Sequence, residues 1–307
     1  MPSTLVHLGT QAALSRVAWR HAPLLWAYLG GVLPDIPWIL QRLIKTAYPA
    51  IDPAQLRLYV VAQASLLGCL VLAAAAAALA VRWRPVLALL CAGALLHLLL
   101  DAIEIKWANG VVLLAPFDWS QWQLGWFWSE SVPGLAWTLA AAVWVAGHWR
   151  EAAAEDPGVV LGRRRLLVAG ALTALWLLLP LALMSGAWRG DVHDVRTLAE
   201  VAERSGRPVE LYKADAYERP GPDVVETLEG EVLTIEGLEI REHQEVSIRG
   251  RFVDPKTVQV DEWFVHPDGW RDLGSYVGLA LVALLWGRWA WRRFRQRRAR
   301  SAPGAAS

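Results

Sequence analysis

Residues 97–119 read HLLLDAIEIKWANGVVLLAPFDW, and they follow an apolar run that carries no charge from Val86 onward. Within two turns that run acquires His97, Asp101 and Glu104, then breaks into a loop around Trp107, Asn109 and Gly110. Positions i, i+4 and i+7 share one helical face, so an imidazole and two carboxylates point the same way. A single ionisable group at the end of an apolar helix can simply reach into the headgroups, and for His97 alone that reading competes evenly. Three on one stripe favour a site, because charge inside a membrane is costly and is commonly retained for function.

Working outward, further apolar runs lie near 60–81, 131–147, 166–187 and 273–291, beside the 85–100 run itself. Each is close to the roughly 20 residues that cross a bilayer. The expected fold is therefore mainly α, a polytopic membrane helical bundle. Nineteen tryptophans, many at run ends, suit interfacial belts better than stacking platforms. Cys69 and Cys91 both sit inside apolar runs, which suggests neither a disulfide framework nor a thiolate metal site. The opening MPSTLVHLGTQAALSR lacks a basic leader and long apolar core, and does not read as a cleaved signal peptide.

The net charge of +1 hides an asymmetry. Between Arg189 and Asp272 there are 11 Lys/Arg against 20 Asp/Glu, which leaves 19 against 9 elsewhere. Arginines gather at Arg82 and Arg84, at Arg150 with Arg163–Arg165, and from Arg288 to Arg300. By the positive-inside rule these places face the cytoplasm of a plasma-membrane protein, which puts the acidic block and the 101–128 loop on the extracytoplasmic side. In the acidic block the period changes to alternation: VELYKADAYERPGP, EVLTIEG, LEIREHQEVSIRGRFV and TVQVDEWFV read as strands of a small all-β domain. Strand count and a V-x-I-x-G-x-F pattern resemble an OB-type barrel. Its acidity disfavours nucleic acid and leaves a structural or protein-contacting role, an envelope protein being the natural partner.

The expected organisation is a membrane-embedded domain over 1–148, a basic cytoplasmic loop over 149–165, a transmembrane helix over 166–187, the β-domain over 188–272, a last transmembrane helix over 273–291 and a basic disordered tail over 292–307. Residues 3–34 read as a short helical hairpin bent near Arg20 and His21, with Pro34 closing its second arm; His7 and Asp35 are then both 14 positions from the bend. The next helix is expected over 59–81, and one over 131–148 follows Glu130, which suits a helix cap better than a pocket wall. Counting about 1.5 Å per residue from Arg84 brings Asp101 to the far boundary of the hydrocarbon core. His7, Asp35, Gln63, His97 and Asp101 can therefore share one depth. Singly, His7 reads as an interfacial histidine and Asp35 as the end of a helix. His193, His243 and His266 are too scattered in sequence to suggest a metal.

The opening MPSTLVHLG, the segment GGVLPDIPW and the 97–119 stretch together resemble the membrane-bound metal-dependent hydrolases, over residues 1–148. The resemblance implies His7, Asp35, His97 and Asp101 as metal ligands, with Gly110 and Pro116 completing the last motif. This chain departs from the pattern at Pro37, where a second Asp is usual, and at Gln63-Ala64-Ser65, where Ala64 replaces a histidine; the set that survives suits one metal. Two imidazoles and two carboxylates form an N/O set appropriate to zinc first and manganese second. Hydrolysis is the chemistry such an ion supports. Glu104 is the candidate general base or supporting partner, and Lys106 the candidate group to balance substrate charge. A lipid or lipid-linked ester or phosphoester is the substrate class an interfacial site implies. The rival expectation is a non-catalytic membrane protein with a degenerate pocket.

Overall fold

Small residues let the apolar runs pack as close neighbours. The structure, a computed structural model, describes residues 3–217, 223–227, 230–240, 242–267 and 269–301. Helices α1 (Thr4–Ala18) and α2 (Leu24–Gly30) form an antiparallel hairpin, followed by a 3-10 turn (Leu33–Asp35). Then come α3 (Ile36–Ala47), α4 (Pro53–Ala64), α5 (Leu66–Ala77), α6 (Trp83–Ile103), α7 (Val132–Ala154) and α8 (Arg163–Arg189). A short α9 (Val195–Ala199) precedes the strands, and α10 (Trp270–Ser301) closes the chain. Among the described residues α6, α8 and Trp270–Gln296 of α10 are long and apolar enough to cross a membrane.

The main core joins α1, α2, α5, α6, α7 and α10, with Leu8, Leu25, Tyr28, Leu90, Val145 and Leu285 inside it. Contacts here leave no room for side chains at two glycines. A Cβ on Gly9 would stand 2.6 Å from that of Ala141 on α7, and one on Gly278 would stand 2.8 Å from the Leu5 nitrogen. Small residues of this kind are what allow apolar helices to touch along their backbones.

The structure differs from the sequence reading at four places. The helix expected over 59–81 is broken, with α4 and α5 meeting at 65°. Ser65 is extended (ψ 160°), donates to Ala62 O at 2.8 Å and accepts from Gly68 N at 3.3 Å, so it caps a new helix inside an apolar run. Pro34 and Asp35 do not end the second arm. Pro37 sits in the first turn of α3, where its missing N–H costs nothing, and the chain continues as a strongly amphipathic helix. Helix α7 is not among the membrane-length apolar helices. Finally, α10 runs through Ser301 where a disordered tail is expected from 292, since Arg and Ala favour helix; residues 302–307 of that tail lie outside the described residues.

The basic segments converge on one end of the bundle. Val81 N donates to Gly158 O at 2.8 Å, Arg292 to Glu155 O at 3.1 Å and Arg293 to Val159 O at 2.5 Å, while Arg165 reaches Ala78 O at 3.3 Å. The opposite end carries residues 104–131, folded back so that Leu124 N donates to Ala102 O (2.6 Å) and Ile105 N to Phe127 O (2.9 Å).

Beyond that end lies a closed five-stranded barrel: β1 (Pro208–Tyr217), β2 (Val224–Glu226), β3 (Val232–Glu236), β4 (Gln244–Asp254) and β5 (Thr257–Val265), in the order β1-β2-β3-β5-β4. Among the described residues only β3 and β5 pair in parallel, with Ile235 opposite Val258. The alternating apolar positions Val209, Leu211, Leu233, Ile235, Val246, Ile248 and Val258 fill its interior. Arg204 plugs one end, fully buried, with both terminal nitrogens 2.7 Å from Glu231. The link from α8 is strained: Asp191, His193 and Asp194 all have positive φ (47°, 58° and 56°).

Burial, reinforced by the charges of Asp191 and Glu210, raises the Asp194 carboxyl from its ordinary 3.8 to about 7. The folded chain keeps that proton where the unfolded chain releases it, so this group's contribution to stability is full below about pH 4 and is lost as pH rises through about 7. Asp194→Asn is expected to melt higher than wild type at about pH 8 and to lose the advantage near pH 4. Equal melting curves at both pH values would show that the carboxyl is solvated.

Candidate metal centre

The last two turns of α6 present His97 and Asp101, and α1 presents His7 to the same point. The two imidazoles stack with ring centroids 3.6 Å apart and planes 12° from parallel. His7 Nε2 lies 3.3 Å from Asp101 Oδ1, and His97 Nε2 lies 3.8 Å from Asp101 Oδ2. One ligand atom from each of the three residues falls within 4.8 Å of the others, and all three residues are buried. Asp35 adds a fourth group, its Oδ1 3.5 Å from His97 Nε2. Zinc ligands about 2.1 Å from a tetrahedral ion are about 3.4 Å from one another, the scale of these separations.

Hydrogen bonding sets which atoms face the ion position. His97 Nδ1–H donates to Gly31 O at 2.9 Å, which in the neutral ring leaves Nε2 as a lone pair. That Nε2, both ring nitrogens of His7 and Asp101 Oδ1 are buried without a hydrogen-bond partner. Orphaned buried groups are destabilising by roughly 1–3 kcal/mol each. One atom from each of the three residues converges on a single point, where His7 Nε2 and Asp101 Oδ1 face each other at 3.3 Å, and a bound cation would satisfy the three together. The group His7, His97 and Asp101 can therefore hold a metal ion. Local sequence makes the approach feasible: Gln11, one turn beyond His7, fills the space left by Gly30 and Gly93, so that α1 lies against α2 and α6.

The two candidate catalytic groups are placed differently from each other. Lys106 is buried and its Nζ is 2.9 Å from Asp101 Oδ2, so its charge is directed at the ligand set rather than toward a substrate. Glu104 follows the last residue of α6 and does not belong to the three-residue group; burial is the main cause that raises its carboxyl. Gln63 and Ala64 are buried on α4, and Ala64 lines a cavity of about 30 Å³ beside Asp101 and Lys106. That is room for about two waters.

The same cavity is lined by His193, from the strained link to the barrel. Its Nε2–H donates to Gly110 O at 2.9 Å and its Nδ1 is buried without a partner. Burial first, then the charge of Arg57, holds this imidazole well below its ordinary value and hence neutral. The one signal in the sequence is its position four residues after the end of α8. Glu130 is neither a helix cap nor part of the metal group. It is buried under the barrel, 3.3 Å from His266 Nδ1 and 3.4 Å from Lys213 Nζ, and His266 Nε2 is 2.7 Å from Ser247 Oγ. Burial pushes the Glu130 carboxyl up, but the hydrogen bond and charge of His266 outweigh it and hold the group below the usual carboxylate range.

Fold and site together describe a helical bundle with apolar helices of membrane-crossing length, a buried His/Asp group able to hold a cation, and a five-stranded barrel over one end. Compared with protein-family models, curated proteins and solved structures, the chain finds no match in any of the three.

Purified chain loaded with zinc is expected to hold about one equivalent by elemental analysis, reduced to background in His97→Ala and in Asp101→Ala. His193→Ala is expected to retain it. Unchanged zinc in both ligand variants would remove the site.

Proposed function

We propose that this chain is a membrane-bound metal-dependent hydrolase acting on a membrane-proximal ester or phosphoester. The observation that carries the reading is the convergence of one ligand atom each from His7, His97 and Asp101, all buried and within 4.8 Å of one another. His7, His97, Asp101 and, by its contact with His97, Asp35 are the residues that would hold the ion. A bound divalent cation supplies Lewis acidity toward a phosphoryl or acyl oxygen. Gly31 orients His97, and Lys106 limits the negative charge of the set. The resemblance to the membrane-bound metal-dependent hydrolases adds support, and the substitution at Ala64 makes a single ion the natural stoichiometry.

The gathering of Arg82, Arg84, Arg163–Arg165 and Arg288–Arg293 toward one end supports a cytoplasmic assignment for that end and an extracytoplasmic one for the metal site and barrel. The barrel's strand order and its one parallel pair support the OB-type reading, with an envelope protein as its partner.

One observation favours the rival, non-catalytic reading: the Lys106 ammonium already sits 2.9 Å from Asp101, where it can neutralise the carboxylate without a metal. Two measurements separate the readings. Zinc-loaded chain in mixed micelles should hydrolyse a p-nitrophenyl ester or phosphodiester, with turnover lost in His97→Ala; absence of turnover with both probes would overturn the hydrolase reading. Lys106→Met should keep its zinc in the hydrolase, because the competing cation is gone. In the rival it should melt lower whether or not zinc is added.

A further inference from the structure

At the basic end of the bundle the alanine run of α5 leaves a trough between two longer helices. Ala74, Ala77 and Ala78 recur at helical spacing and form its floor. One wall is Trp83 and Leu87 of α6, and the other is the start of α8, with Val168 and Leu172 below Arg164 and Arg165. The space measures about 520 Å³. That lies inside the roughly 300–1,000 Å³ common for ligand cavities.

Charge and apolar surface are separated along it. Leu172 stands about 10 Å down α8 from Arg165. Among the described residues no acidic side chain lines the trough. Arg165 donates to the carbonyls of Ala78 (3.3 Å) and Ala80, which hold the guanidinium in place without neutralising it. Arg164 is exposed and makes neither a hydrogen bond nor an ion pair among the described residues. Arg84 adds a third cation at the mouth, its guanidinium 5.3 Å from the centre of the Trp83 ring. The acids that precede α8 are engaged elsewhere: Glu155 accepts from Leu24 N at 2.8 Å, and Asp156 from Gly158 N and Trp289 Nε1, each at 3.0 Å. The mouth therefore carries an uncompensated positive charge.

The trough is open to the side. Trp83 and Val168 are 44% and 45% exposed, and only 17% of the apolar stretch of α8 is buried within the protein, so this helix turns most of its surface outward. Tryptophan and arginine at the rim of an apolar surface suit the level where a bilayer's headgroups give way to its acyl chains.

We propose that this trough binds an anionic phospholipid from within the bilayer plane, the phosphate held by Arg164 and Arg165 and the first part of one acyl chain laid over the alanine floor between Leu87 and Leu172. Basic pockets between membrane helices recognise anionic headgroups in this way. The site shares no residue with His7, Asp35, His97 and Asp101, so it goes beyond the hydrolase reading and does not rest on it.

The test is native mass spectrometry of the full chain extracted from vesicles of equimolar phosphatidylglycerol and phosphatidylcholine. Wild type is expected to retain phosphatidylglycerol over phosphatidylcholine by at least about fivefold, the weight of one basic side chain against an anionic headgroup. Arg164→Gln should lower that preference several-fold. Arg295→Gln, the same change at an exposed arginine of α10 outside the trough, should leave it as it is. Val168→Trp fills the trough from its exposed wall and Ala74→Leu raises its floor; each should strip most of the retained lipid while the far-ultraviolet circular dichroism stays that of wild type. Equal retention of the two lipids by wild type, equal effects of the two arginine variants, full retention by both filling variants, or displacement of the lipid by excess inorganic phosphate would each overturn the proposal.

Discussion

Everything at this site depends on α1 and α6 coming close enough for His7 and His97 to stack at 3.6 Å. Apolar helices in an apolar surrounding gain little from burial against one another, so such an approach must be permitted by shape. Here Gln11 occupies the space that glycine leaves on two neighbouring helices, and Gly9 and Gly278 remove side chains where α1 meets α7 and α10. The stacked rings then put two ring nitrogens near Asp101, and the Gly31 carbonyl determines which nitrogen of His97 faces it. Geometry made by packing thus becomes a donor set.

Two opposed ways of neutralising Asp101 meet in that set. A cation held by His7, His97 and Asp101 would be one, and the Lys106 ammonium at 2.9 Å is the other. Charge buried to this degree requires compensation. The balance between an internal amine and an external ion decides whether the cluster is chemistry or scaffold.

The barrel and the long helices were legible from periodicity because strand alternation and apolar length are local properties. The meeting of His7, Asp35, His97 and Asp101 was legible too, since depth can be counted from the basic ends of helices. What escaped was contextual. Ser65 breaks an apolar run through two hydrogen bonds that no hydropathy window registers, and Pro37 starts a helix at a place that reads as a turn. Glu130 and His266 come together only because the barrel docks on residues 104–131, where Trp128 stacks on Phe264 at 4.2 Å. Lys106 is near enough to Asp101 in sequence, but only the folding-back of the loop turns its ammonium inward.

The left-handed run at Asp191, His193 and Asp194 is a covalent hinge post as well as a point of strain. It is anchored on the bundle side by His193 on Gly110 and on the barrel side by Asp194 on the Glu210 amide. The barrel is thereby tied to the wall of the small cavity beside Asp101 by a short bracket of chain, a third fastening next to the Glu130–His266 pair and the Trp128–Phe264 stack.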